Sequence, residues 1–279
     1  MRQILFERGG QVVTEGHSSK GNQPKWFVDE KWYKADHMGY EGLAEVLVSR
    51  LLLLSNAKDF ISYEPVQITY DGKTASGSTS PNFLKQDEIL IPFERLHRSF
   101  RGRGLAQTIA QMETAEKVRY TVELIEGVTG LQDVGQYLTM ILELDSFFLN
   151  EDRHTNNLSV IRNEKTGKYR LSPIYDNGLS LLSDLHDYPL EQDIYSMIAR
   201  VQAKPFDRDF DLQTEAAEIL FRPQLKFFFT AREATGELDA LTEYYPKEII
   251  DRVECIVLEQ IRKYPVFFSN FNTGTDLLS

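Results

Sequence analysis

The chain has 279 residues, of which 42% are hydrophobic and 26% are charged, as in an ordinary globular protein with one large or two modest cores. Its net charge of −11 argues against strong nucleic-acid binding through a general basic face. No apolar run approaches the roughly 18 residues of a membrane span, and the single cysteine fits a reducing compartment. We therefore expect a cytoplasmic protein, or one delivered to another cell.

The first part of the chain has the turn signals and apolar patterns of β-strands, with one helix. The predicted elements are hairpins around residues 9–10 and 29–30, a helix over 40–55, a strand over 57–70 and a short strand over 89–92. The stretch 71–81 is rich in Gly, Ser and Thr, so we expect a turn or a mobile loop there.

The second part is predicted to be mainly helical. The helices cover residues 105–127, 134–149, 191–201, 211–221, 224–235 and 246–263, with Asp133 as an N-cap. The composition changes near residues 92–100. We therefore predict an α+β fold with two lobes: a β-rich nucleotide-binding lobe over 1–93 and a helical lobe over 94–279, which carries the catalytic and metal-binding loops. A cleft between two lobes is a common place for a nucleotide.

Residues 150–178 carry the strongest functional signal. Asp152 precedes Asn157 by five residues, and Asp176 follows on the far side of a short hairpin. In a kinase-type phosphoryl-transfer site, one carboxylate meets the acceptor hydroxyl, while an amide and a second carboxylate hold metal ions. This spacing predicts Asp152 as the catalytic carboxylate. Asn157, with Asn156 as the alternative, and Asp176 are predicted to bind Mg²⁺, which prefers oxygen ligands.

Residues 16–25 form a polar, glycine-containing segment that can fold over the phosphates of ATP. Gly16 and Gly21 allow a close approach of the backbone, and Ser18 and Ser19 offer hydroxyl groups.

A lysine on the second strand of the 29–30 hairpin can reach the same phosphates. This residue is Lys34, and Glu45, eleven residues later on the predicted helix, can orient it as an ion pair. Glu41 is the rival acid, and Glu45 is preferred because it lies deeper in the helix. Arg153 and His154 are expected to brace the loop that carries the catalytic carboxylate.

Several of these motifs resemble the HipA-like serine/threonine kinases. The block Asp-Arg-His-Thr-Asn-Asn at 152–157, followed by Asp-Asn-Gly at 176–178, is similar to that family and, more distantly, to phosphatidylinositol kinases. Gly-Asn-Gln-Pro-Lys at 21–25 and Lys-Pro-Phe at 204–206 resemble further segments of the family. The resemblance implies a bilobal protein-kinase-like fold, and an ATP- and Mg²⁺-dependent enzyme that phosphorylates Ser or Thr of a protein substrate.

The family also implies roles for individual residues. The resemblance implies that Lys34 binds ATP and that Asp152 is the catalytic group. It also implies that Asn157 and Asp176 bind magnesium and that backbone groups near Ile91 and Phe93 bind the adenine. Some family members autophosphorylate a serine of the phosphate loop and thereby switch themselves off, so Ser18 and Ser19 are the candidates here. The family includes toxin kinases. A partner antitoxin or regulator would be a separate small protein, because the strands of the nucleotide lobe begin almost at once.

Two other functions stay open. A lipid or small-molecule kinase on the same scaffold is compatible with a basic cluster that consists of Arg95, His97, Arg98, Arg101 and Arg103. A catalytically silent binding module with a kinase-like fold is the non-enzymatic alternative. The joint presence of the lysine, the two aspartates and the asparagine favours an enzyme, because a scaffold needs none of them.

Overall fold

The computed structural model of the protein describes residues 2–6 and 23–268. In chain order, its first elements are β1 (Gln3–Phe6), β2 (Lys25–Val28), β3 (Lys31–Ala35), α1 (Glu41–Leu53), β4 (Glu64–Tyr70), β5 (Lys73–Pro81) and β6 (Glu88–Pro92). The first five strands form one sheet in the order β1-β4-β5-β3-β2. Strand β1 runs parallel to β4, and the other neighbours are antiparallel.

The hairpin predicted around residues 29–30 is confirmed. Asp29 and Glu30 both have positive φ, at 50° and 57°, as a tight two-residue hairpin turn requires. The resulting register places Lys25 opposite Lys34 on the neighbouring strand. The hairpin predicted around residues 9–10 falls outside the described residues.

The loop predicted over residues 71–81 is wrong, because most of this segment is strand β5. It pairs with β3 on one side and β4 on the other, so both its edges are hydrogen-bonded. Its small residues are required by packing: a Cβ on Gly77 would lie 2.1 Å from the carbonyl oxygen of Lys34, and one on Gly42 of α1 would lie 2.6 Å from the Gly77 Cα. The small residues that indicated a loop in the sequence therefore let helix α1 approach the sheet closely.

The remaining elements are mainly helices. They are α2 (Phe93–Arg101), α3 (Leu105–Ile109), α4 (Thr114–Thr129), α5 (Val134–Phe148), β7 (Ser159–Asn163), β8 (Tyr169–Leu171), α6 (Ile194–Arg200), α7 (Phe210–Phe221), α8 (Ala231–Asp239), α9 (Lys247–Lys263) and the short 3₁₀ helix α10 (Pro265–Phe267). Strands β6, β7 and β8 form a second, antiparallel sheet.

Three helix predictions need correction. The single helix expected over 105–127 is two helices, because Glu113 has an extended backbone and the chain turns there while its apolar pattern continues. Asp133 precedes α5 but its side chain makes no capping hydrogen bond. Helix α8 begins after Thr230, which forms a capping box with Glu233, and not at residue 224.

The main core joins α1 to the helices of the second part. Leu43, Leu47 and Leu51 of α1 are fully buried in the same cluster as Phe147 and Phe148 of α5. Strand β6 pairs with β7, so the second sheet joins segments on both sides of the boundary expected at residue 93, and that division stays a prediction. Within the described ranges, none of the helices combines the length and the apolar character that a membrane crossing needs.

Candidate active site

Three charged side chains from separate elements meet at one point. The ammonium of Lys34 on β3 lies 2.8 Å from Oε1 of Glu45 on α1 and 2.9 Å from Oδ1 of Asp176, which follows β8. Glu45 is 1% exposed, and its other oxygen accepts a 2.9 Å hydrogen bond from the backbone N–H of Asn177. Glu41 instead accepts the backbone N–H groups of residues 37–39. Glu45 therefore ties both the lysine and the Asp-Asn-Gly segment to helix α1.

The three groups shift one another's proton affinities. Burial disfavours the charged amine, but the carboxylates of Asp176 and Glu45 raise the pKa of Lys34 well above its ordinary value. Burial alone would raise the pKa of Asp176, but the positive charge of Lys34 brings it down to about 2. Burial raises the pKa of Glu45. At neutral pH the site therefore holds a charged lysine against an ionised Asp176.

Asp176 has the geometry of a group that is positioned for a ligand. Its backbone is left-handed, with φ at 62°, a conformation that is uncommon for residues other than glycine. Its side chain is 39% exposed, whereas its partner Glu45 is buried. Part of the Asp176 carboxylate is therefore open to solvent beside the lysine.

A buried arginine connects the two acidic motifs. Arg153 is 1% exposed and binds the carboxylate of Asp145 on α5, with its Nε 2.9 Å from Oδ2. Its other nitrogens donate to the carbonyl of Tyr175 at 2.8 Å and to Oδ1 of Asn177 at 2.7 Å. The side chain next to Asp152 thus fixes the segment that carries Asp176.

Asp152 is nearly buried among polar groups. Its Oδ1 lies 3.3 Å from the ammonium of Lys204, and its Oδ2 lies 3.7 Å from Nε2 of His154. The side-chain amide of Asn157 donates to the backbone carbonyl of Asp152 at 3.0 Å, which holds the loop closed. That bond uses the amide nitrogen, and the amide oxygen is the atom that a metal ion would bind.

The donor types fit a hard cation. Mg²⁺ prefers carboxylate and amide oxygens, and Asp176 offers an ionised carboxylate with an open face. The remaining acidic cluster that we find in the described ranges consists of Glu151, Asp184 and Asp187, whose ligand atoms lie within 4.8 Å of one another. Acidic clusters of this kind are common without a metal ion, so we assign it none.

The adenine contact expected near Ile91 and Phe93 stays a prediction. Phe93 is fully buried, and its backbone N–H already donates to the carbonyl of Leu158 at 2.8 Å. Ile91 pairs with Val160 across the second sheet. The segment that links the two sheets is the connector, residues 82–87.

The connector lies beside the acidic motif. The ring of Phe83 is 5.5 Å from that of Tyr175, the residue before Asp176. Arg170 donates to the carbonyl of Phe83 at 3.3 Å and forms an ion pair with Glu88 at 2.7 Å.

The predicted phosphate-loop residues Gly16, Ser18, Ser19 and Gly21 lie outside the described residues. Lys25, at the end of that segment, is described: burial and the nearby charge of Lys34 lower the pKa of Lys25. A second lysine thus lies near the first.

The basic cluster around α2 has exposed arginines, but two of its members already have partners. His97 is fully buried between the carbonyl of Arg103, at 2.7 Å from Nδ1, and the hydroxyl of Tyr120, at 3.0 Å from Nε2. Arg98 pairs with Glu94 on the same helix.

Sequence reasoning missed the parts that Asp145, Asn177 and Lys204 play in this site. Asp145 and Asn177 hold Arg153, and Lys204 reaches Asp152 across 52 positions of sequence. The one available signal was the Lys-Pro-Phe segment at 204–206, which resembles a segment of the HipA-like kinases without indicating what it contacts.

A solved structure shares this fold. The crystal structure of a Helicobacter pylori proinflammatory kinase, CtkA, is similar to this chain with a TM-score of 0.64 and 14% sequence identity, over 93% of this chain and 95% of that one. No family model and no curated protein sequence matches the chain. The protein thus has the α+β, bilobal kinase-like fold that its sequence predicts.

Proposed function

We propose that this protein is an ATP- and Mg²⁺-dependent kinase of the HipA-like type that phosphorylates serine or threonine in a protein substrate. The observation that carries the proposal is the meeting of Lys34, Glu45 and Asp176, which come from three separate elements of a kinase-like fold. Phosphoryl transfer needs alignment and charge neutralisation more than covalent chemistry, and this arrangement provides both. The similar solved structure is described as a kinase, which supports the same reading.

Nucleotide binding is assigned to the lysine network. Lys34 binds the α- and β-phosphates, and Glu45 keeps the ammonium in place because it is itself buried and fixed by Asn177. Asp176 and Asn157 are the residues that would hold Mg²⁺, which when bound neutralises charge on the phosphates. Lys34 then exchanges its contact with Asp176 for contacts with phosphate oxygens.

The transfer step is assigned to Asp152. Its carboxylate accepts or orients the proton of the acceptor hydroxyl as the oxygen attacks the γ-phosphorus. The bond from the γ-phosphorus to the oxygen bridging it to the β-phosphate breaks, and ADP leaves. Lys204, 3.3 Å from this carboxylate, is placed to offset negative charge near the transferred group. Arg153 positions both acidic motifs and does not itself touch the reacting atoms.

The adenine is assigned to the segment that runs from the connector, residues 82–87, to Ile91 and Phe93. The connector links the two sheets, and Phe83 packs on Tyr175 next to Asp176. Asp176 contacts Lys34, so Phe83 lies near the segment that reaches the proposed phosphate-binding lysine. Phe83→Ala should therefore weaken ATP binding more than the substitution of a connector residue on the exposed side, such as Lys85→Ala.

Autophosphorylation of Ser18 or Ser19 is part of the proposal, as is a small protein antitoxin or regulator. A phosphate in that segment adds nearly two negative charges. If the segment lies over the ATP phosphates, this charge repels them and lowers nucleotide affinity.

The test is incubation of the purified protein with Mg·ATP and a library of Ser- and Thr-containing peptides, followed by mass spectrometry of protein and peptides. We expect phosphate on the peptides or on Ser18 or Ser19, and none with Asp152→Ala. ATP binding without any transfer, in the presence of the library, favours the silent binding module. Transfer to a lipid and to no peptide favours the lipid kinase.

A further inference from the structure

An open depression of about 310 Å³ lies beside the candidate catalytic residue. We call it the Lys204 pocket, and it is lined by Lys117 on α4 and by residues 203–208. Its lining contains three cationic side chains, Lys117, Lys204 and Arg208, and one acidic side chain, Asp207. The whole chain carries a net charge of −11, so this cationic lining is opposite in sign to the protein as a whole.

The pocket has a fixed frame. The backbone N–H of Ala203 donates to the carbonyl of Arg208 at 2.8 Å, which closes the segment into a loop. Lys117 donates to the carbonyl of Phe206 at 2.9 Å and fastens that loop to α4. These bonds hold the cationic groups near one another before any ligand arrives.

Asp207, the acidic residue of the lining, also helps to hold this loop in place. Oδ2 of Asp207 accepts the hydroxyl of Thr114 at 2.5 Å, and Oδ1 accepts the backbone N–H of Asp209 at 3.0 Å. These hydrogen bonds contribute to a lowered pKa of Asp207, although burial works against them. The carboxylate is thus engaged with the loop and with α4, and the pocket keeps a net positive lining.

The Lys204 pocket lies next to Asp152 and shares part of its lining with a second depression. Lys204 connects the pocket to the candidate catalytic residue, because its ammonium lies 3.3 Å from Oδ1 of Asp152. Asp207 and Arg208 also line the second depression, of about 660 Å³. There Lys263 pairs with Asp211 at 2.9 Å, and Arg262 pairs with Glu259. The second depression therefore extends the surface beside the pocket and is nearly balanced in charge, which suits an extended polypeptide better than a small anion.

We propose that the Lys204 pocket selects acceptor polypeptides that carry an acidic side chain within a few residues of the phosphorylated Ser or Thr. The acceptor hydroxyl lies at Asp152, and the acidic side chain of the substrate lies against Lys117 and Arg208. This inference rests on the proposed kinase function and adds a substrate class to it. Two partly exposed charge contacts should make a peptide with an acidic residue bind about 10-fold more tightly than one with a neutral residue. A basic residue at the same place is repelled and should bind more weakly than the neutral one.

The test separates binding from catalysis. Fluorescein-labelled peptides of Gly and Ala, with Ala at the acceptor position and either Glu or Lys at the flanking positions, are titrated with protein in the presence of Mg·ATP. We expect the Glu peptide to bind about 10-fold more tightly or better. Arg208→Glu should abolish or invert this preference. Arg232→Glu, the same charge change on the exposed face of α8, should leave it intact.

Each outcome decides one question. Equal binding of the two peptides, or a preference that survives Arg208→Glu, overturns the inference. Displacement of the Glu peptide by free glutamate or inorganic phosphate at similar concentration overturns the choice of a polypeptide. Matching peptides with Ser at the acceptor position then test the function itself: phosphate transfer without a charge preference keeps the kinase and rejects the inference. Selective binding without transfer keeps the pocket and rejects the kinase.

Discussion

The ammonium of Lys34 and the Oδ1 of Asp176 are 2.9 Å apart although 142 positions of sequence separate these residues. The same ammonium also contacts Glu45, whose side chain is 1% exposed, whereas that of Asp176 is 39% exposed. The two acids are therefore unequal partners. The buried one fixes the lysine, and the open one is the acid that we propose to exchange the lysine for a metal ion when a nucleotide binds.

Substitution of Lys34 by Met should weaken Mg·ATP binding by about 10-fold or more, because the half-buried cation that we propose to bind the phosphates is lost. It should also lower the free energy of unfolding by about 3 kcal/mol, since Glu45 is left buried without its cation. Isothermal titration calorimetry and urea denaturation measure the two effects. Lys31→Met is the matched control on the same strand, because Lys31 is exposed. Equal ATP affinity in both variants would remove Lys34 from the nucleotide site.

Asp152→Ala should reduce turnover by about 100-fold or more while ATP remains bound, because only the transfer step uses this carboxylate. Asp176→Ala should reduce both turnover and Mg·ATP affinity. Glu164→Ala, an exposed acid in the turn between β7 and β8, is the control. Rates of peptide phosphorylation and nucleotide titrations separate the two effects. If Asp152→Ala keeps the wild-type rate, another group accepts the proton.

Arg153→Met should lower the free energy of unfolding by about 3–5 kcal/mol, because it leaves the buried carboxylate of Asp145 without its cation. The contrast is Lys247→Met, which removes one partner of a solvent-exposed ion pair with Asp251 and should cause no measurable change. Chemical denaturation of both variants provides the comparison. Similar stabilities would mean that the Arg153 network is not required for the fold.

Gly77→Ala should destabilise the protein by about 1–3 kcal/mol, because the new methyl group would overlap the backbone of β3 next to Lys34. Gly127→Ala is the opposite case. Gly127 lies inside helix α4, and a Cβ there meets no atom within 4 Å, so this variant should gain about 0.5–1 kcal/mol. Thermal melting distinguishes the stabilising from the destabilising variant, and a stabilising Gly77→Ala would contradict the close approach of Gly77 to the backbone of β3.

Asp36→Asn should flatten the dependence of stability on pH. Burial, helped by the negative charge of Glu41, raises the pKa of Asp36 to about 8, although hydrogen bonds from the Gly42 N–H at 2.6 Å and the Tyr245 hydroxyl at 2.9 Å oppose the shift. The native state then keeps a proton that the unfolded state, with a pKa of about 3.9, has lost. Asp36 therefore contributes most to the free energy of unfolding below about pH 4, and this contribution falls as the pH rises towards 8.

The measurement is urea denaturation of the wild type and of Asp36→Asn at about pH 5 and pH 8. The wild type should lose stability between the two pH values, and the variant should lose less. Asp239→Asn, on the exposed end of α8, should follow the wild type. Parallel curves for the wild type and Asp36→Asn would show that this carboxyl is ionised in the folded protein at both pH values.

The parts of the fold that depend on residues close together in the sequence could be predicted from it. The turn at Asp29 and Glu30 and the helix α1 each follow from short-range patterns, and the structure contains both. Strand β5 was missed because its Ser, Thr and Gly residues resemble a loop, and only the partners on both edges and helix α1 above it make it a strand. The break between α3 and α4 was missed because the apolar periodicity continues through it.

The sequence by itself determined the chemistry of this protein: a lysine, two aspartates and an asparagine in kinase-like order, and the α+β class of the fold. The tertiary structure decided which of these groups meet. It paired Lys34 with Glu45 and Asp176 and placed Lys204 on Asp152. Spacing along the chain constrains only the residues within one turn or hairpin. A contact across 142 positions depends on how whole elements pack, because burial and charge pairing act only between groups that are close in space.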